Sequence, residues 1–321
     1  MRSLYVALFC LVPLATQASI KFEVLSDDPL APYISGASGH IWCGNTPYGK
    51  PVVGMDGKWM ELKGVGNGVT YTRGCTESTV VGTSLARPVL WNLRTGSLTV
   101  LAVNGYATGA SGRVQVGTVN TSNGTHGFSH ATAWFGTADS FVDLNPSEYR
   151  YTQAIAVGGH AVIGSGRNPN GYEHALFWPR LRPSAIDFGD HAKLFGMDAF
   201  QQVGYSFVAN ADHPMVWRGS VKSAVDLLPP GFVKGNAIDV LDGWQVGAVA
   251  KDSYASAALW HGTADSFVPL DKFIPQELGF VWSYVTALTR MPEKLVIYGE
   301  AGEADYKRHL VRWTIHEGNR P

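Results

Sequence analysis

Seven residues, Gly136-Thr-Ala-Asp-Ser-Phe-Val142, recur unchanged at Gly262–Val268, an offset of 126 residues or three periods of 42. Self-similarity at such a period constrains a chain more than any single motif, because each copy must fold as the same small unit. Each copy follows a tryptophan by two positions, Trp134 and Trp260. Alignment on that tryptophan brings out Pro88-Val-Leu-Trp91, Ala131-Thr-Ala-Trp134, Ala175-Leu-Phe-Trp178, Pro214-Met-Val-Trp217, Ala257-Ala-Leu-Trp260 and Leu310-Val-Arg-Trp313. Trp59 fits as a weaker first member, and the spacings are then 32, 43, 44, 39, 43 and 53.

A short apolar strand ending in glycine precedes each tryptophan: Trp42-Cys-Gly44, Val80-Val-Gly82, Gln115-Val-Gly117, Val162-Ile-Gly164, Gln202-Val-Gly204, Gln245-Val-Gly247 and Ile297-Tyr-Gly299. An alternating segment follows, as in Phe141-Val-Asp-Leu144 and Ala224-Val-Asp-Leu227. A fourth segment, such as Gln153-Ala-Ile-Ala-Val157, opens the next copy. Four short strands between Gly, Asn, Asp and Pro turns, with no helical periodicity, predict an all-β chain. Abundant glycine (37 residues) and only 16% charged residues agree with that. Four strands in about 40 residues is the pattern of a propeller blade. The expectation is a single seven-bladed β-propeller over residues 19–321, with four antiparallel strands per blade. The last copy lacks an outer strand after Leu310–Ile315, and Phe22-Glu-Val-Leu25 resembles Phe141-Val-Asp-Leu144. The N-terminal strand is therefore expected to close the last blade, covering an otherwise bare edge.

Residues 1–18 read as a signal peptide: Arg2, an apolar stretch from Leu4 to Leu14, and Thr16-Gln-Ala18 as a small-residue cleavage site. The stretch is too short to span a bilayer, so no membrane insertion is expected after its removal. The implied location is secreted or periplasmic. Cys43 and Cys75 then remain, and an even count in an oxidising compartment favours a disulfide over two buried thiols. A net charge of -1 without a basic patch argues against a nucleic-acid partner.

The segments His130-Ala-Thr-Ala-Trp134, His174-Ala-Leu-Phe-Trp178, His213-Pro-Met-Val-Trp217 and His309-Leu-Val-Arg-Trp313 resemble the bacterial extracellular HAF repeat family, named for its His-Ala-Phe signature. Asp143-Leu144 and Asp226-Leu227 fit it too, whereas Met55, Arg87 and Ser256 replace the histidine. The resemblance implies export and a propeller-like repeat and carries no catalytic residues. The histidines occupy equivalent positions round a ring, too far apart for a common metal, so a strand-end hydrogen bond is expected of them. His126 and His130, four apart outside any helix, show no carboxylate partner in the sequence. No metal or cofactor is expected.

Eleven residues before the landmark glycine stand Tyr33, Tyr71 and Tyr106, and the longer last hairpin puts Tyr284 there. The other copies have Gln153, Lys193 and Asn236. Four tyrosines on neighbouring blades at the channel mouth form a candidate ligand-binding arc, since aromatic faces stack on sugar rings while hydroxyls hydrogen-bond. No Gly-x-Ser-x-Gly elbow or His-Glu-x-x-His motif is present. The leading expectation is accordingly a non-catalytic binding scaffold for an extracellular glycan, peptide or protein. The alternatives are a propeller hydrolase or lyase acting on polysaccharide, with inner-strand carboxylates such as Asp198 and Asp239 available, and a structural or adhesive surface protein.

Overall fold

The computed structural model describes residues 19–316 apart from 29, 56–57, 123–126 and 306. The expected signal peptide and His126 lie outside the described residues. The chain is all-β, with 60% strand and 6% helix.

An N-terminal strand, β1 (Ser19–Ser26), precedes seven four-stranded units. The first holds β2 (Tyr33–Ser38), β3 (Ile41–Asn45), β4 (Pro51–Met55) and β5 (Lys58–Glu61). The second holds β6 (Thr70–Cys75), β7 (Thr79–Ser84), β8 (Arg87–Asn92) and β9 (Leu98–Val100). The third holds β10 (Gly105–Ser111), β11 (Val114–Ser122), β12 (Gly127–Trp134) and β13 (Val142–Asp143). The fourth holds β14 (Tyr151–Gly158), β15 (Ala161–Arg167), β16 (Glu173–Trp178) and β17 (Ile186–Gly189). The fifth holds β18 (Ala192–Met197), β19 (Gln202–Val208), β20 (Ala211–Trp217) and β21 (Val225–Asp226). The sixth holds β22 (Lys234–Leu241), β23 (Trp244–Ala250), β24 (Ala255–Trp260) and β25 (Val268–Pro269). The last holds β26 (Trp282–Met291), β27 (Lys294–Gly302) and β28 (Arg308–His316), and β1 supplies its fourth strand.

The expected N-terminal pairing is present: Phe22 stands opposite Trp313 and Val24 opposite Val311 in an antiparallel ladder. Arg312 ties the two strands by donating from Nε at 3.0 Å and from Nη2 at 2.6 Å to Glu23. The strands make six sheets rather than seven, because a parallel bridge between Ser129 and Tyr151 fuses the third and fourth units into one eight-stranded sheet. First strands abut in succession, β2, β6, β10, β14, β18, β22 and β26, and β26 returns to β2.

Hydrophobic clusters sit between consecutive units. Val114, Ala133 and Leu144 of the third pack on Val162 and Trp178 of the fourth, and Leu259 and Leu270 of the sixth pack on Ile297 and Trp313 of the last. Middle strands are apolar on both faces for this reason; Val80 and Val81 are both wholly buried. In three units the indole N–H reaches back to the preceding unit, from Trp91 to the Lys63 carbonyl at 2.7 Å, from Trp178 to Leu144 at 2.8 Å and from Trp313 to Leu270 at 2.9 Å.

The first unit departs from the expected pattern. Trp59 is exposed on the outer strand β5 and is not the core tryptophan. The register that sets Val80 opposite Trp91 sets Trp42 opposite Gly54. Trp42 therefore supplies the indole from the neighbouring strand, and a Cβ on Gly54 would fall 2.0 Å from its Cζ2. The residue facing the indole has to be glycine.

Each first strand carries a β-bulge at the same place, as between Ile34 and Gly36, Thr72 and Gly74, and Leu194 and Gly196. A bulge bends the strand and re-aims its side chains. Beside it the landmark glycine sits against the carbonyl of the residue that precedes its cross-strand partner. A Cβ on Gly204 would lie 1.8 Å from the Lys193 oxygen, and one on Gly82 1.9 Å from that of Tyr71. This contact explains why the glycine recurs.

The expected Cys43–Cys75 disulfide is absent. Both cysteines are buried free thiols in the cluster between the first and second units. They meet as hydrogen-bonding partners, and that contact together with burial pushes the Cys75 thiol well above the usual range. The packing of the two sheets holds the sulfurs in contact without a bond.

Candidate active site at the channel mouth

A central cavity of about 570 Å³ is lined by all seven first strands. The bulge residues Ser35, Arg73, Thr108, Ile155, Phe195, Ile238 and Thr286 border it. The residue after each bulge is Gly36, Gly74, Gly109, Ala156, Gly196 or Ala287, small because the next first strand lies against it; a Cβ on Gly74 would meet the Gly109 Cα at 3.2 Å. Only the sixth unit breaks this row, with Asp239. Its Oδ1 accepts the Val240 N–H at 2.9 Å, and its Oδ2 accepts the Leu288 N–H of β26 at 3.0 Å. Burial of the carboxylate, with a smaller contribution from Asp198, raises its pKa to about 6 against the two amide bonds that oppose the shift.

The seven positions at the starts of the first strands share one register. Each faces the residue that follows the landmark glycine: Tyr33 with Asn45, Tyr71 with Thr83, Tyr106 with Thr118, Gln153 with Ser165, Lys193 with Tyr205, Asn236 with Ala248, and Tyr284 with Glu300. Tyr33 and Tyr284 come together around Arg308, Tyr106 turns toward the fourth unit, and Tyr71 packs beside Gly49.

The Tyr33–Tyr284 side holds the strongest polar cluster. Glu300 is 1% exposed, and its Oε2 accepts the Tyr284 hydroxyl at 2.5 Å. Arg308 donates to Glu300 Oε1 at 3.0 Å and to the Ala31 carbonyl. The Arg308 guanidinium lies 4.0 Å over the Tyr33 ring, and Trp282 stacks on Tyr284 at 5.5 Å. Burial and the neighbouring Glu300 charge push the Tyr284 phenol up, so it stays protonated at neutral pH. The Arg308–Glu300 pair balances a buried charge that would otherwise be costly.

Across the cavity the Tyr106 hydroxyl donates to Gln153 at 3.0 Å, Gln153 to Ser165 at 2.9 Å, and Ser165 to Glu173 at 2.8 Å. Sequence reasoning missed Glu300, Arg308, Ser165 and Glu173. A signal existed at the position after the landmark glycine, where Ser165 and Glu300 stand opposite Gln153 and Tyr284.

Three of the four repeated histidines take the expected strand-end role, with a partner that was not foreseen, whereas His309 is buried with its Nε2 3.5 Å from Glu303. His130, His174 and His213 bond Asp143, Asp187 and Asp226 through Nδ1 at 2.9, 2.7 and 2.7 Å. The His and Asp-Leu signatures are two ends of one bond. Among the described residues no group of three or more His, Cys, Asp or Glu could hold a metal.

No protein-family model and no curated protein matches the sequence. Solved structures do match its fold. Puromycin hydrolase aligns at 10% identity and TM-score 0.61 over 87% of this chain and 51% of its own. The β-propeller domain of the Trilobed protease from Pyrococcus furiosus aligns at 11% and 0.53, over 90% of this chain and 96% of that one. Oligogalacturonate lyase from Vibrio parahaemolyticus aligns at 10% and 0.53, over 93% and 97%.

The fold is that of β-propeller proteins. The chain spans about half the length of the hydrolases and peptidases it matches, and almost the whole of the lyase. These neighbours correct the leading functional expectation. They are peptidases, a hydrolase and a lyase, not non-catalytic binding scaffolds.

Proposed function

We propose that the seven units close as a seven-bladed propeller, completed by β1, and that its channel mouth is the active site of an enzyme, a hydrolase or lyase, acting on extracellular polysaccharide. The observation that carries this reading is the Tyr284–Glu300–Arg308 cluster. Both reaction types need a group that takes a proton, from water in hydrolysis or from carbon in elimination. Glu300 is too enclosed to touch a substrate, and Tyr284 is the atom in between. As Tyr284 takes the substrate proton on its oxygen it passes its own to Glu300, so no free phenolate forms. Arg308 holds the carboxylate in place, and the Tyr33 and Trp282 rings offer faces for a sugar. The match to an oligogalacturonate lyase over 93% of this chain and 97% of that one supports the substrate class.

Export behind residues 1–18 and kinship with the HAF repeats belong to the same proposal. The first rests on the basic-apolar-small order of the leader, the second on the His–Asp bonds that account for the signature.

The test is turnover of a panel of neutral and acidic polysaccharides, read as new reducing ends for hydrolysis and as ultraviolet absorbance of an unsaturated product for elimination. Tyr284→Phe should lower kcat by about 10²–10⁴ with thermal stability retained, and Glu300→Gln should lower it as far while also losing stability, because Arg308 is left without its carboxylate. Full activity in Tyr284→Phe would end the proposal. The peptidase neighbours, at TM-scores up to 0.61, favour a second reading, the propeller half of a larger peptidase.

A further inference from the structure

A second concavity, of about 230 Å³, opens beside the central cavity between the third and fourth units, and the two share Gln153. Tyr151, Gln153, Ser165, Arg167 and Glu173 are among the residues that line it. Tyr151 is held there by the single parallel bridge to Ser129, the place where two units fuse into one sheet. Two guanidinium groups lie over the Tyr151 ring, Arg150 at 5.4 Å and Arg167 at 6.0 Å from its centroid, and Arg150 also covers Phe128 at 4.9 Å. Elsewhere arginines near first strands are neutralised by carboxylates: Arg290 by Asp242, Arg308 by Glu300 and Arg312 by Glu23. Among the described residues Arg150 and Arg167 have no ion pair. Arg73, which borders the central cavity, and Lys193, which starts the adjoining first strand, have none either.

Positive charge is thus concentrated on one sector of the mouth of a chain whose net charge is -1. The opposite wall of the concavity is polar. Glu173, fixed by the Ser165 hydroxyl, faces it together with Gln153.

Two forked cations held against an aromatic ring, and a wall of hydrogen-bonding groups, are complementary to a ring that carries both a carboxylate and hydroxyls. We propose that this concavity binds an acidic sugar, a uronic-acid residue of the substrate chain. Its carboxylate pairs with Arg167, which lines the concavity, and with Arg150 beside it across the Tyr151 ring, and its hydroxyls meet Glu173 and Gln153. The proposal rests on the polysaccharide reading above and narrows the substrate to the uronate-bearing class. It also gives a direction: the chain would run from this subsite across the mouth toward Tyr284.

Binding can be separated from catalysis by using the Tyr284→Phe protein, in which turnover plays no part. Three probes are titrated calorimetrically: an oligosaccharide of galacturonic acid, the same oligosaccharide fully methyl-esterified, and a sulfated oligosaccharide of a neutral sugar. The acid should bind, the ester should bind at least about tenfold more weakly, and rising salt should weaken the acid alone. Arg150→Ala with Arg167→Ala should cost at least about tenfold for the acid and leave the ester unaffected. Arg150→Lys with Arg167→Lys keeps the charge over the rings and should recover part of the loss, which guards against a mere folding defect. Equal binding of acid and ester, preference for the sulfated probe, no binding of the acid, or unchanged affinity in the alanine variant would each overturn the assignment. Turnover of a neutral polysaccharide that is indifferent to both arginines would leave the enzyme reading standing and remove this one. Acid binding in Tyr284→Phe without wild-type turnover would do the reverse.

Discussion

Asp239 offers a test of the geometry that needs no substrate. It occupies the place where the other six units carry glycine or alanine, and it joins β22 to β26 through the Leu288 amide. Its carboxyl is raised from an ordinary 3.8 to about 6, chiefly because burial disfavours the charge. An acid with a raised folded pKa binds more protons folded than unfolded between the two values. Its contribution to stability is therefore full below 3.8 and lost as pH climbs through about 6. At about 1.36 kcal/mol per pH unit, the gap between 3.8 and 6 converts to ~3 kcal/mol. The residue borders the central cavity on one side, and water there screens part of the charge, so about 1–3 kcal/mol is the expected range. Facing groups are few: Asp198 supplies the like charge, while Asp242 is engaged by Arg290 and sits at the strand end. The assay is urea unfolding of wild type and Asp239→Ala from pH 4 to pH 7. Groups that do not interact with Asp239 titrate alike in both proteins, so the difference between them reports this carboxyl together with its coupling to Asp198. Asp239→Ala also strips the partner from two amides, so it should be the less stable protein at pH 4, and its deficit should shrink by about 1–3 kcal/mol at pH 7. A difference that stays flat over this range would refute the enclosed, amide-capped carboxylate.

Two further outcomes follow from packing. Gly204→Ala would put a methyl 1.8 Å from the Lys193 carbonyl and should cost about 3 kcal/mol or more by thermal unfolding, whereas Gly127→Ala, whose nearest contact is 4.0 Å away, should stay within about 0.5 kcal/mol. In the first unit, Gly54→Trp alone would collide with Trp42 and should fail to fold, while Trp42→Val with Gly54→Trp restores the Val80–Trp91 arrangement and should regain most of the wild-type melting temperature. Failure of the double variant to outdo the single one would show that the indole is not interchangeable between the strands.

The units were legible because their packing is repetitive and local. A fixed spacing of tryptophan and glycine reports a shared register, and the count of eleven back from the glycine lands on the residue whose carbonyl that glycine touches in Tyr33, Tyr71 and Tyr106. The N-terminal pairing was legible for the same reason, since Phe22-Glu-Val-Leu25 carries the alternation of an outer strand. Trp59 was misread because spacing alone cannot tell which of two adjacent strands delivers the indole. Trp42 and Gly54 exchange roles across the ladder and leave the same volume filled. The fusion of the third and fourth units depends on one bridge, Ser129 to Tyr151, that no pattern announces.

The site was less legible because it is made of departures from the repeat, and a departure looks like drift until its partner is known. Glu300 after Gly299 is one residue among seven varied ones until Arg308 and Tyr284 are seen to close on it. Arg150 and Arg167 sit at a strand approach and a strand end, where charge is ordinary, until Tyr151 is found beneath both. Asp239 is the clearest case, since sterics hold that row to small side chains and only a carboxylate taking up the Val240 and Leu288 amides has been tolerated there. The packing contacts of such a chain are set by what the units share. Its chemistry is concentrated where one unit differs from the rest, and the differences cluster on the face where the first strands begin.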